Sequence, residues 1–127
     1  MILSITMLNN KKEQWFMNTD LRSEVAKTYA EFCKGLANTS RLLIVYALAD
    51  HSMNVGTLAK TIGLSQSTTS HNLKTLLDQG VVRSKRDGQN VLYMLADVRL
   101  VQALDMIWLT MADQLDYKTT LSLNKLS

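Results

Sequence analysis

Two short apolar-periodic runs stand almost end to end, parted only by Gly63-Leu64-Ser65. In the first, Leu58, Ala59 and Ile62 fall on one side of a helix. In the second, from about Gln66 to Leu77, Thr69, Leu73, Leu76 and Leu77 do the same. Gly63 stands where a left-handed residue usually ends a helix, and Ser65 stands where the next helix needs an N-cap. Gly80 closes the second run. Helix, short glycine-containing turn, helix is the signature of a helix-turn-helix. No other stretch restricts the fold as tightly.

The period changes directly after Gly80. Val81 to Arg86 and Gln89 to Leu95 are short and rich in β-branched and aromatic residues, with Asp87-Gly88 between them. An Asp-Gly pair in that setting predicts a hairpin turning at Asp87-Gly88, because both central residues of a type I′ turn need positive φ. A helix-turn-helix followed at once by a hairpin is the winged-helix arrangement.

Longer helical runs lie on either side. Upstream, Leu21, Val25, Tyr29, Phe32, Cys33 and Leu36 form one apolar face, with Thr19 or Asp20 as N-cap. Ser40 to Ala49 is apolar nearly all round and is expected to be central and buried. Downstream, Leu100, Val101, Leu104, Ile107, Trp108, Met111 and Leu115 form a broad stripe. Proline is absent, so no helix is broken by that route. These patterns predict a mainly α chain with a small β-hairpin. It is a winged helix-turn-helix that dimerises through its first and last helices, whose stripes bury against each other and against a second subunit. Residues 20–117 make up the DNA-binding and dimerisation domain. Residues 1–19 are an N-terminal arm, disordered or helical, and residues 118–127 a tail that frays.

A chain of 127 residues holds one domain, and a domain this small often draws part of its buried surface from a second subunit. The net charge of +3 is a weak indicator of partner, but its distribution says more. Between residues 41 and 90, six basic residues (Arg41, Lys60, Lys74, Arg83, Lys85, Arg86) outnumber three acids. Between 97 and 116, four acids stand against Arg99 alone. The middle of the chain is therefore the anion-facing part. The single cysteine, Cys33, excludes an internal disulfide and fits a reducing compartment. Met1 to Leu8 is apolar but short, and its charges, Lys11 and Lys12, come after it. It reads as neither signal peptide nor membrane span, so a cytoplasmic protein with no membrane partner is expected.

With Thr69, Leu73 and Leu76 turned inward, the second helix of the pair presents Ser67, Ser70, His71 and Lys74 outward. These are hydrogen-bonding and cationic groups on a helix that fits the major groove. Gln66 and Ser67 offer free N–H groups to a phosphate, and Thr68 belongs with them. Arg83, Lys85 and Arg86 are expected near the hairpin tip, within reach of phosphates or the minor groove. Arg41 has two readings, a phosphate contact and a structural ion pair. A lone helix-turn-helix pattern is common in all-α proteins, and a charged hairpin is usually just solvated. Their order and spacing together favour double-stranded DNA as the partner.

Several short segments resemble the ArsR/SmtB family of bacterial regulators. They are Leu36-Ala37-Asn38-Thr39-Ser40-Arg41-Leu42-Leu43-Ile44, Val55-Gly56-Thr57-Leu58-Ala59, Leu64 to Ser70, Leu76 to Val82, and Tyr93-Met94-Leu95. They occur in family order across roughly Val25 to Leu115. The resemblance implies a homodimer, usually a repressor, that binds an inverted-repeat operator and releases it on sensing a signal. One departure falls on the second helix. The family often has His directly before the position of Leu73, whereas here Asn72 stands there and His71 one place earlier. That step is about 100° round a helix, and it makes His71 a candidate DNA-facing donor.

The same resemblance argues against a conventional metal site and leaves no cofactor expected. Where many relatives carry paired cysteines, this chain has Asn54 and Gly56. Where others use ligands on the last helix, Asp97 is followed by Arg99, a cation, and Thr110 and Asp113 do not complete a set. Cys33 is the remaining sensor candidate, by oxidation or by a disulfide to the partner subunit. Its competing reading, as a small apolar packing residue four positions after Tyr29, takes precedence because free cysteine is so often buried. The inducer is left open as a small molecule or a redox signal. Competing functions are a winged helix that binds protein rather than DNA, and a redox-responsive repressor. An enzyme ranks last, since no phosphate loop, nucleophile–base pair or paired carboxylates stand out.

Overall fold

The computed structural model describes residues 19–126, with side chains from 22 to 125. The 1–18 part of the N-terminal arm lies outside the described residues. Helix α1 (Thr19–Leu36) belongs to one compact unit that ends at Asn38, and a second unit begins at Thr39. In α1, Val25, Tyr29 and Phe32 recur at helical spacing and are all exposed, while Cys33 is half-buried. The helix takes in Thr19 and Asp20, so neither stands outside it as a cap.

The second unit contains α2 (Thr39–Asp50), α3 (Val55–Ile62), α4 (Gln66–Asp78), β1 (Val82–Asp87), β2 (Asn90–Leu95) and α5 (Arg99–Leu126). Its core is Ile44, Val45 and Leu48 of α2, Leu58 and Ala59 of α3, Leu73 and Leu76 of α4, and Val81 and Val82 beside them. Fully burying one such side chain is worth about 1.5–3 kcal/mol. Buried Thr69 costs little here, because its hydroxyl donates to the Ser65 carbonyl at 2.8 Å. Helix α2 is not buried all round, contrary to its composition. Leu43 and Tyr46 remain exposed, because α3 and α4 pack against one side of it only.

Local chemistry sets the joints. Asn54 caps α3 by accepting the Thr57 N–H at 2.8 Å. Gly63, at φ 71°, ends it, and the Leu64 N–H returns to the Ala59 carbonyl at 3.0 Å. Ser65 caps α4 by accepting the Thr68 N–H at 3.0 Å. Helix α4 closes with Val81 N–H on the Leu76 carbonyl, across Gly80 at φ 73°.

Strands β1 and β2 pair antiparallel from Val82↔Leu95 to Asp87↔Asn90. The two turn residues are therefore Gly88 and Gln89, not Asp87 and Gly88. The register is decided at the base of the hairpin rather than at its turn. There buried Val82 faces Leu95, and the Ala96 N–H bonds the Val81 carbonyl at 3.0 Å. Gly88, at φ 64°, then takes the first central position. Met53 exchanges two backbone hydrogen bonds with Tyr93, at 3.1 and 2.8 Å, and so tethers the α2–α3 linker to β2.

Helix α5 has 28 residues and is about 42 Å long. It runs on past Lys118, where the apolar pattern ends, since no Gly or Pro follows Gly88 to stop it. Leu100, Val101 and Leu104 are half-buried, but Ile107, Trp108, Met111 and Leu115 are exposed. The helix touches α2 through Tyr46, whose hydroxyl donates to Asp105 at 3.4 Å. Among the described residues, no helix is long and apolar enough to cross a membrane. The second unit is a winged helix-turn-helix.

Candidate nucleic-acid interface

Helix α4 turns Thr69, Asn72, Leu73 and Leu76 into the core. At 100° per residue, Ser67, Ser70, His71 and Lys74 then share an arc of about 100° on the far side, and all four are exposed. Their side chains make no hydrogen bond or ion pair with another described residue. Gln66 and Thr68 flank the arc and are exposed as well. The cap leaves the backbone N–H groups of Gln66 and Ser67 available, because Ser65 engages those of Thr68 and Thr69. The Ser65 hydroxyl also donates to the Thr68 hydroxyl at 2.9 Å, which fixes the first turn.

The hairpin lies on the same side as this first turn. A cleft of about 430 Å³ is lined by Gln66 of α4, by Asn54 and Gly56 at the start of α3, and by Gln89, Asn90 and Tyr93 of the wing. Its carboxamides donate and accept, and Arg86 of β1 pairs across the hairpin with Val91, which also lines the cleft. The three wing cations do not act as one cluster, however. Arg83 and Lys85 pair with Met94 and Leu92 on one face of the hairpin, while Arg86 pairs with Val91 on the other. Arg83 stands five residues from Gly88, about 16 Å along the strand, so it belongs to the base of the wing and not to its tip.

Arg41, given two readings by the sequence, does not hold its guanidinium out as an open display. It is half-buried, and its Nη1 donates to Asn72 Oδ1 at 3.1 Å. Asn72 Nδ2 in turn donates to the Thr68 carbonyl at 2.9 Å. The role of Asn72 was not read from sequence. The signal for it was present: one step beyond an outward His71 is a turn toward the core. Asn54, noted only as a non-cysteine, is likewise a helix cap, a role that its place before an apolar run could have shown.

Asp97 is occupied by its neighbour. Arg99 grips the carboxylate through Nε, at 3.1 and 3.0 Å to the two oxygens, and through Nη2 at 2.7 Å. The Arg99 backbone N–H adds a bond of 2.9 Å. Together they hold the Asp97 carboxyl at about 2, with a smaller pull from the charge of Arg83. Among the described residues, no three His, Cys, Asp or Glu side chains come together as a metal site would need. Burial pushes the Tyr46 phenol up, and the adjacent Asp105 adds to the effect.

Residues 38–84 match the family described as bacterial regulatory protein, arsR family. The chain is 38% identical over 85 residues to the HTH-type transcriptional regulator NmtR of Mycobacterium tuberculosis, a match covering 67% of this chain and 71% of that one. Matches to two further curated relatives span 59% and 54% of their lengths. Among solved structures, a homodimeric winged helix-turn-helix DNA-binding domain from Mycobacterium bovis superposes with a TM-score of 0.67 at 26% identity, covering 79% of this chain and 93% of that one. The transcriptional repressor BigR of Xylella fastidiosa does so with a TM-score of 0.66 at 29% identity, covering 74% and 96%.

Proposed function

We propose that this chain, which belongs to the arsR family of bacterial regulatory proteins, is a cytoplasmic homodimeric repressor that binds an inverted-repeat operator. The observation that carries the proposal is the free outer arc of α4. Four exposed side chains, Ser67, Ser70, His71 and Lys74, have no partner among the described residues and stand on a helix whose first N–H groups are also open. In a major groove they meet base edges, and the N–H groups of Gln66 and Ser67 meet a phosphate. Thr68, Lys85 and Arg86 grip the flanking backbone, with Arg83 a weaker contributor from the base of the wing.

Two such heads must be held about one DNA turn apart, roughly 34 Å. The exposed apolar rows of α1 and α5 are suited to joining two copies. Repression follows from occupancy of a promoter, and release from a change in the spacing of the heads. The proposal is of a binding protein rather than an enzyme, and it needs no metal or cofactor.

The test is a selection of duplexes from a random pool with the purified full chain, followed by titration against salt. Specific retention of a two-fold symmetric sequence is expected, with log affinity falling by about 0.9 per phosphate contact for each unit of log salt. Retention of no duplex, or an affinity indifferent to salt, overturns the proposal in favour of a protein-binding winged helix.

A further inference from the structure

We infer that Arg41 is a positioning residue, which fixes the rotational setting of α4 through Asn72 rather than touching nucleic acid. The inference rests on the DNA-binding reading of α4 given above. Thr69 and Asn72 are the buried polar side chains among the described residues, Asn72 being 6% exposed. Thr69 is satisfied within its own helical turn. Asn72 instead links two helices: its oxygen accepts from Arg41 of α2, and its nitrogen donates to the carbonyl of Thr68. Thr68 sits in the first turn of α4, the turn whose N–H is held by Ser65. A polar chain therefore runs from α2 through Asn72 to the end of α4 that meets the groove.

Apolar packing alone sets such a helix loosely. Leu73 and Leu76 are held by contacts without direction, and these tolerate small rotations. A rotation of about 20° swings an outer side-chain tip, about 6 Å from the axis, through about 2 Å. That displacement is large enough to lose a hydrogen bond to a base edge. A directional bond from a planar guanidinium to a buried carboxamide resists it. The geometry also separates Arg41 from the DNA-facing arc, since Asn72 lies on the core side of α4 while His71 lies outward.

A double-mutant cycle on the full chain tests this, using Arg41→Met, Asn72→Ala and the pair. The probes are a duplex selected by the wild-type chain and a scrambled duplex of the same length, titrated over a range of salt. Each single variant is expected to lose about tenfold in affinity for the selected duplex. Affinity for the scrambled duplex and the salt slope should both hold, and the double variant should lose no more than the weaker single. A phosphate contact by Arg41 gives the opposite pattern. Loss is then equal on both duplexes, the slope becomes shallower by about 0.9, and Asn72→Ala is silent; that result overturns the inference while leaving the DNA reading intact. If Asn72→Ala does not fold, as judged by its thermal melt, the slope and selectivity of Arg41→Met decide alone. A wild-type chain that retains no duplex overturns both readings together.

Discussion

Asp97 shows how one residue is taken out of circulation by its neighbour two positions on. Its carboxylate is bound by the guanidinium and the backbone N–H of Arg99, and its carboxyl stands at about 2 against an ordinary 3.8. A carboxyl lowered on folding adds stability above its unfolded value and loses it as the pH falls through the folded one. The contribution of Asp97 is thus fully present above about pH 5, mostly lost by about pH 2 and gone by about pH 1. Because the pair is exposed, salt screens it. The Asp97→Asn variant should therefore unfold more readily than the wild type near neutral pH at low salt. Circular dichroism melts of the two should converge as the pH is lowered to about 2 or the salt is raised. A separation that persists unchanged as the pH falls would show that the charge of Asp97 is not its source, and coincident curves near neutral pH would show that the contact adds nothing to the folded state.

At the scale of elements, the wing tests the proposed interface most directly. Replacing Lys85 and Arg86 together by Ala should weaken binding to every duplex and make the salt slope shallower by up to about 1.8, if each neutralises one phosphate. Arg83→Ala should have a smaller effect, because Arg83 stands at the base of the hairpin. An equal effect from Arg83 would mean that the backbone passes beside the root of the wing. Helix joints were legible in the sequence, because Gly63, Ser65 and Gly80 act through local backbone chemistry. The outward setting of Ser67, Ser70, His71 and Lys74 was legible for a similar reason: period alone fixes a helix face. The hairpin register was not, because it is set by Val82 against Leu95 at the far end, a non-local contact. Nor was the exposed side of α2, since a run that is apolar all round does not say which side its neighbours take. The Arg41–Asn72 bond spans 31 positions and lies beyond any local pattern.

For the whole molecule, the controlling question is what covers α5. An apolar groove of about 570 Å³ between α2 and α5 is lined by Leu42, Tyr46, Leu104, Ile107, Trp108 and Met111. Trp108 is 57% exposed and Leu115 55%, an unusual display on a single chain. In the proposed homodimer the second copy covers this row, and an indole at such a centre is a typical hot spot. Placing a charge there should separate the subunits, because Trp108→Glu removes the anchor and adds a carboxylate to a surface that must desolvate. Light scattering of the eluted variant should then give a monomer, while its circular dichroism spectrum stays helical. Binding should change in a characteristic way. A single head makes half the phosphate contacts, so the salt slope should fall to about half. The gain from linking two heads should vanish as well, a loss of about a hundredfold or more. A variant that stays dimeric with its slope intact would place the interface on another surface, and with it the geometry that spaces the two α4 helices.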